Sequence, residues 1–375
     1  MLDAVDIEGL KGVGRVELRF DPSKRVRVLF GVNGVGKTKT LEAIYLGMLF
    51  SQNEFSAWMQ RQLFNGSKSI PFASLSIDKE PLVKRATAEA SALLAMSMAS
   101  KARHPAPVVF LGASGRSAVS SEPSQAGLLG QFEERKKSHF SRLLAEITSN
   151  SLRSAGMDGD VRAWFVQRAQ SVNPYQVEKD NLQREIDTVL DLLNALDSRV
   201  AQGKLQIDGA QRVFLNVSDE WVELGSLSSG FASVVKMFQT IVAAYSNFTN
   251  AADMCRLPGV VLIDEIESHL HVSWQTTIIG KLKQLFPKTV FVIATHSPLI
   301  LSQLEEGEAY LIARDNDGVV RATEINSPNM KAFGDVLHEA FGVDLNGLKR
   351  AALENADQTD AKKRLLDLLL GDDQS

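Results

Sequence analysis

The residues with the plainest chemistry lie near the start of the chain. Gly31-Val32-Asn33-Gly34-Val35-Gly36-Lys37-Thr38 has the spacing G-x-x-x-x-G-K-[ST], set between an apolar run ending at Phe30 and a helix-forming run. Its glycines let the backbone wrap around phosphate oxygens with several N–H groups pointing inward, and the helix start behind them adds positive potential. The spacing predicts that Lys37 reaches the β- and γ-phosphates of a nucleoside triphosphate and that the Thr38 hydroxyl ligates Mg²⁺. Gly31, Asn33, Gly34, Val35, Gly36, Lys37, Thr38 and Lys39 are the expected nucleotide-binding residues. The same glycines do not make G-x-G-x-x-G, so a dinucleotide fold is disfavoured.

Three further segments complete the constellation. Val260-Val261-Leu262-Ile263-Asp264-Glu265 is an apolar strand ending in two carboxylates. A carboxylate at the C-terminal edge of a parallel strand faces the ligand crevice. Asp264 can therefore hold Mg²⁺, directly or through water, and Glu265 is free to polarise an attacking water as general base. Phe291 to Ala294 is a second apolar strand, followed by Thr295-His296-Ser297-Pro298. His296 could sense a γ-phosphate, although a strand-end histidine on its own is more often structural. Leu227-Ser228-Ser229-Gly230-Phe231 precedes an apolar helix. Ser228 and Ser229 are good N-cap residues, and the helix start offers free N–H groups to an anion, as any capped helix would. His269 and His271 lack the further ligands zinc requires and are assigned to a structural turn or a subunit contact.

These segments need strands and helices to hold them. Val13 to Phe20 and Arg25 to Phe30 read as two strands about an Asp21-Pro22-Ser23 turn, expected to pair antiparallel. A helix is expected from Lys37 to Phe50, with Leu41, Ile44, Tyr45 and Met48 on one face. Ala86 to Lys101 looks helical, Val108 to Leu111 is a short buried strand, and Gly112 to Gly130 reads as a mobile Gly/Ser-rich loop. Phe132 to Val200 has a helical pattern, clearest after Pro174, where Leu182, Ile186, Val189, Leu190, Leu193, Leu196 and Val200 recur. That stretch of about 27 residues would span about 40 Å. Strands follow at Val213–Val217 and Trp221–Leu224, then a helix over Phe231–Phe248, a strand over Val260–Ile263, a helix over Trp274–Leu285 and a strand over Thr289–Ala294. A hairpin is expected over Glu308–Ala313 and Val319–Ile325, then a helical region over Met330–Gly371. Strands alternating with helices predict an α/β fold, with a mainly parallel central sheet and antiparallel additions.

Composition is that of an ordinary globular chain, with 44% hydrophobic and 23% charged residues among 375. A net charge of -4 gives no sign of a general polyanion-binding surface, though it leaves a local basic groove open. The single Cys255 excludes an internal disulfide framework and fits a reducing cytosol. Asp3, Asp6 and Glu8 interrupt any signal-like start, and no uncharged run approaches the ~20 residues of a membrane span. A cytoplasmic protein without a membrane partner is expected.

Taken in order, the phosphate loop, LSSGF, VVLIDEIESHLH and ATHSP resemble the heads of ABC-type ATPases, and the wording is closest to the soluble SMC-, RecF- and OLD-like branch. The resemblance covers the first fifty residues and roughly Val213 to Ile300. It implies an ABC-ATPase-like P-loop NTPase fold, with ATP and Mg²⁺ as cofactors. Ser228, Ser229 and Gly230 would be the signature that contacts ATP on the opposing subunit, Asp264 and Glu265 the Walker B pair, and His296 the switch histidine. Ser229 stands where the signature has its second glycine, and Phe231 where it has glutamine. Gln52, Gln60 and Gln62 compete for the Q-loop position. The branch includes ATPase subunits of the Septu and PARIS phage-defence systems. It implies a homodimer or higher homo-oligomer closing around ATP and regulating a separate effector, a nuclease or toxin. The stretch after the hairpin is too short for the Toprim nuclease domain of OLD proteins. The competing expectation is a RecF- or SMC-like DNA-repair ATPase, against which the missing coiled coil and acidic balance count. The expected division is residues 1–80 and 206–329 for the two parts of the head, 81–205 for a mainly helical insertion, and 330–375 for a helical tail.

Overall fold

The computed structural model describes residues 2–61, 70–83, 103–117, 130–149, 152–172 except 158, and 180–330 except 250 and 252, with single residues elsewhere. Residues 1–329 form one compact unit and 330–375 a second. The helix expected over Ala86–Lys101, most of the Gly112–Gly130 loop and almost all of the Met330–Gly371 region lie outside the described residues.

Ten strands of the first unit make one sheet. They are β1 (Ala4–Leu10), β2 (Gly14–Arg19), β3 (Val26–Phe30), β4 (Ser74–Ile77), β5 (Glu80–Val83), β6 (Val108–Leu111), β10 (Gly259–Ile263), β11 (Thr289–Ala294), β12 (Ala309–Arg314) and β13 (Val320–Glu324). Their order is β5-β4-β1-β2-β13-β12-β3-β11-β10-β6. The five strands from β12 to β6 all run parallel. Strands β7 (Val200–Ile207), β8 (Val213–Val217) and β9 (Glu220–Glu223) form a separate antiparallel sheet. The described helices are α1 (Lys37–Ser51), α2 (Asn53–Arg61), α3 (Phe132–Thr148), α4 (Val161–Gln170), α5 (Gln183–Leu196), α6 (Ser229–Tyr245), α7 (Val272–Gln275), α8 (Ile278–Leu285) and α9 (Pro298–Leu301).

The expected antiparallel pairing of Val13–Phe20 with Arg25–Phe30 does not occur. β2 alternates buried and exposed residues, whereas every residue of β3 is buried. A strand covered on both faces belongs in a parallel interior, so β3 crosses to lie between β11 and β12. Arg27 is tolerated there because its guanidinium pairs with Asp3 at 2.7 Å and sits over the Phe20 ring. β2 pairs instead with β1, a strand the acidic residues Asp6 and Glu8 concealed in the sequence while Val5 and Ile7 supply its buried face. The Glu308–Ile325 hairpin forms as expected, closed by Gly318 N–H to Asp315 O at 2.9 Å.

Other boundaries shift for local reasons. The long helix expected after Pro174 is described only from Gln183 and ends at Leu196. Asp197 breaks it, its carboxylate taking the Arg199 backbone N–H and guanidinium. Val200, which continues the apolar period, is the first residue of β7, so strand lies within the span expected to be helical. The Trp274–Leu285 helix divides into α7 and α8 at Thr276-Thr277, two β-branched residues that weaken helix. Helix α1 is buried around nearly its whole circumference rather than on one face, as a helix within a layered core should be.

Candidate functional site

Each element delivers one part of the site at the C-terminal edge of the parallel strands. After β3 the chain enters the loop of residues 31–38, where Gly31, Gly34 and Gly36 all have positive φ. A Cβ at Gly31 would lie 2.5 Å from the Ile312 carbonyl, and one at Gly36 2.7 Å from both methyls of Val13. Only glycine fits either place. Gly36 is the N-cap of α1, without a side-chain cap, so the first N–H groups of the helix stay available. Lys37 folds back over the loop, donating to the Gly31 carbonyl at 2.7 Å and that of Val32 at 3.2 Å.

β10 brings Asp264 to the same place. The Thr38 hydroxyl lies 2.9 Å from Asp264 Oδ2 and 3.1 Å from Oδ1, joining residues 226 apart in sequence. Asp264 is 3% exposed. Burial raises its pKa above the ordinary carboxylate value, opposed by the Thr38 hydroxyl and pushed further by Glu265. Burial also pulls the Lys37 ammonium down to about 8, against the attraction of Asp264, Glu267 and Glu265. A half-buried hydroxyl and a buried carboxylate converging at this distance are the oxygen donors a hard divalent cation takes, so Mg²⁺ suits them. Glu265 follows on the exposed side with φ +47°.

β11 adds the third part. Glu267 accepts from the Thr295 hydroxyl at 2.5 Å and from the His296 backbone N–H at 2.6 Å. It thereby ties the turn after β10 to the end of β11. Burial, then the Lys37 charge, lowers the pKa of His296, so its ring is neutral at neutral pH.

Residues 117–302 match the family described as "AAA domain, putative AbiEii toxin, Type IV TA system". The chain is similar to Septu protein PtuA of Bacillus thuringiensis, at 22% identity over 92% of this chain and 85% of that protein. It is also similar to Septu protein PtuA of Bacillus mycoides (strain KBAB4), at 31% identity over 37% of this chain and 20% of that protein. By these matches the chain is similar to AAA-domain ATPases. Among solved structures, an Smc head bound to the C-winged helix domain of ScpA superposes with a TM-score of 0.45 at 16% identity, over 87% of this chain and 97% of that one.

Within the site, Lys37, Thr38 and Asp264 gather around one point, with Glu265, Glu267 and His296 close enough to act on their charges. Lys39 turns to Glu42 at 2.7 Å. Among the described residues no hydrogen bond joins Ser228, Ser229 or Gly230 to the phosphate loop. The Ser228 hydroxyl caps α6 by accepting from Phe231 N–H at 3.3 Å, and Ser228 and Ser229 are exposed. Gly230 lies against the turn after β10, where a Cβ would meet the His269 carbonyl at 2.7 Å. His269 has φ +65° and His271 caps α7, so both do serve a turn. Of the glutamine candidates, Gln52 is buried and caps the Phe55 N–H, Gln60 donates to Ser56, and Gln62 lies outside the described residues.

Two residues escaped the sequence reading. Glu267 was visible as a third acid after Asp264 and Glu265, but nothing in the spacing gave it a target. Arg116 sat in a segment read as a loop, and its only signal was a cation shortly after the apolar strand β6.

Proposed function

We propose that this head binds ATP with Mg²⁺ in the residue 31–38 loop and hydrolyses it. The observation that carries the reading is the Thr38–Asp264 hydrogen bond, because it joins the phosphate loop to the strand-end carboxylate. Gly31, Asn33, Gly34, Val35, Gly36 and Lys39 would turn backbone N–H groups to the phosphates. Lys37 would leave its two carbonyl partners for β- and γ-oxygens. Thr38 and Asp264 would hold Mg²⁺, which neutralises charge on the triphosphate when bound. Glu265, exposed at the strand end, takes a proton from the attacking water. His296, held through its own N–H by Glu267, contacts the γ-phosphate with its neutral ring.

The helix start at Ser228–Gly230, with Ser228 and Ser229 exposed, fits a second role, binding the ATP held by a partner copy. Two heads would then close around two nucleotides and open on hydrolysis. Similarity to the Septu protein PtuA supports a place in anti-phage defence, where the motion regulates a separate effector, a nuclease or toxin. The described helices include none long and apolar enough to cross a membrane.

Glu265→Gln tests the reading. It should retain ATP binding, lose turnover, and accumulate the closed oligomer on gel filtration with ATP. Normal turnover in that variant would remove Glu265 from the mechanism.

A further inference from the structure

The chain leaves β10 by an unfavourable turn. Glu265 has left-handed backbone, φ +47°, although it carries a side chain. Such a conformation persists only where the surroundings over-determine it. Regular pairing between β6 and β10 stops one residue earlier, at Asp264 N–H to Leu111 O, 3.0 Å.

Arg116 continues from there. Its side chain is almost fully buried, and its guanidinium donates to four main-chain carbonyls, two from each strand end. On the β6 side these are Leu111 at 3.1 Å and Gly112 at 2.9 Å. On the β10 side they are Asp264 and Glu265, the latter at 2.7 Å. No carboxylate oxygen is among these partners, so the fork holds backbone rather than pairing with a charge. Its proximity nevertheless opposes the rise in the Asp264 pKa.

The loop carrying Arg116 is itself held. Lys236 of α6 donates to the Gly115 carbonyl at 2.9 Å. A Cβ at Gly112 would collide with the Arg153 carbonyl at 2.1 Å. The helix that begins with Ser228–Gly230 therefore pins the loop whose arginine grips the Asp264–Glu265 backbone. Ser233, also on α6, donates to the Ser268 carbonyl at 3.4 Å, on the turn leaving Glu265.

We propose that Arg116 is a positioning residue for ATP hydrolysis, stapling the ends of β6 and β10 so that the Glu265 carboxylate is aimed at the attacking water. This rests on Glu265 being the general base. Lysine cannot replace the staple, because one ammonium lacks the planar fork that spans four acceptors. Displacing a base by about 1 Å can cost on the order of 100-fold in rate.

The experiment compares full-length Arg116→Lys, Arg116→Ala and Glu265→Gln for melting, Mg²⁺-dependent ATP affinity and kcat. Both Arg116 variants should bind ATP within about threefold of wild type and lose about 100-fold in kcat. Dilute guanidinium, far below denaturing levels, should restore part of the Arg116→Ala rate and none of the Glu265→Gln rate. Normal kcat in Arg116→Lys with Glu265→Gln inactive defeats the staple and leaves the general base standing. Normal kcat in Glu265→Gln defeats the base instead. Loss of cooperative melting in both Arg116 variants, or loss of ATP affinity equal to the loss of rate, makes Arg116 a residue of the fold or of binding and overturns the proposal.

Discussion

Replacing Asp264 with Asn separates what the carboxylate does for the fold from what it does for the nucleotide. The side chain keeps its shape, and the Thr38 hydroxyl can still donate to an amide oxygen. What disappears is a buried charge whose pKa burial raises. For a group with a raised folded pKa, protonation favours the folded state, so stability falls as pH rises through that pKa. Without ligand the Asn variant should therefore melt no lower than wild type at pH 8. The wild type should gain on it as pH falls into the acid range where Asp264, its pKa raised by burial, takes up its proton. With Mg·ATP the order reverses. Ligand at 100 times its Kd stabilises by about 2.7 kcal/mol. Over the unit of residues 1–329, an unfolding entropy of about 2.1 cal/mol/K per residue turns this into a rise of about 4 °C. Even outer partners of a metal contribute 10–100-fold to its affinity. Losing a direct ligand should cut binding by about 100-fold, leaving about 0.4 kcal/mol of stabilisation and a rise below about 1 °C. The assay is thermal unfolding by circular dichroism at several pH values, with and without Mg·ATP. An equal ligand shift in both proteins, or a ligand-free variant clearly less stable at pH 8, would refute the reasoning.

Two further outcomes follow from the loop and the turn. Gly36→Ala sets a Cβ 2.7 Å from the Val13 methyls at φ +112°. It should cost at least about 2 kcal/mol in urea unfolding and abolish ATP-dependent protection; wild-type stability would show that the loop is not held as described. Glu267→Gln weakens the grip on Thr295 and His296. It should lower kcat about tenfold with ATP affinity kept, as loss of a charged hydrogen bond predicts; an unchanged steady-state kcat would detach Glu267 from the site.

Legibility in the sequence followed from how locally each feature is encoded. The phosphate loop, the Asp264 strand and the 308–325 hairpin each combine turn chemistry with a short apolar run, and all three form where expected. The meeting of Thr38 with Asp264 was legible as well, because parallel strands deliver their C-terminal ends to one edge. Pairing partners were less so. Nothing local says that β3 abandons β2, since that depends on which strand is covered on both faces. β1 hid behind the half-buried Asp6 and the exposed Glu8, which alternate with the buried Val5 and Ile7. Val200 kept a helical period while beginning a strand, because Asp197 ends the helix through a side-chain contact that periodicity does not register. Arg116 was the least legible, since its four partners are backbone oxygens, which carry no sequence signal.

One triphosphate shared by the Lys37 loop and the Asp264–Glu265 strand end underlies every step proposed for this protein. Calorimetric titration of the purified protein with ATP, with and without Mg²⁺, tests it most directly. Saturable binding of one ATP per chain, strengthened by the metal, is expected. Absence of saturable binding, or binding indifferent to Mg²⁺, would contradict it.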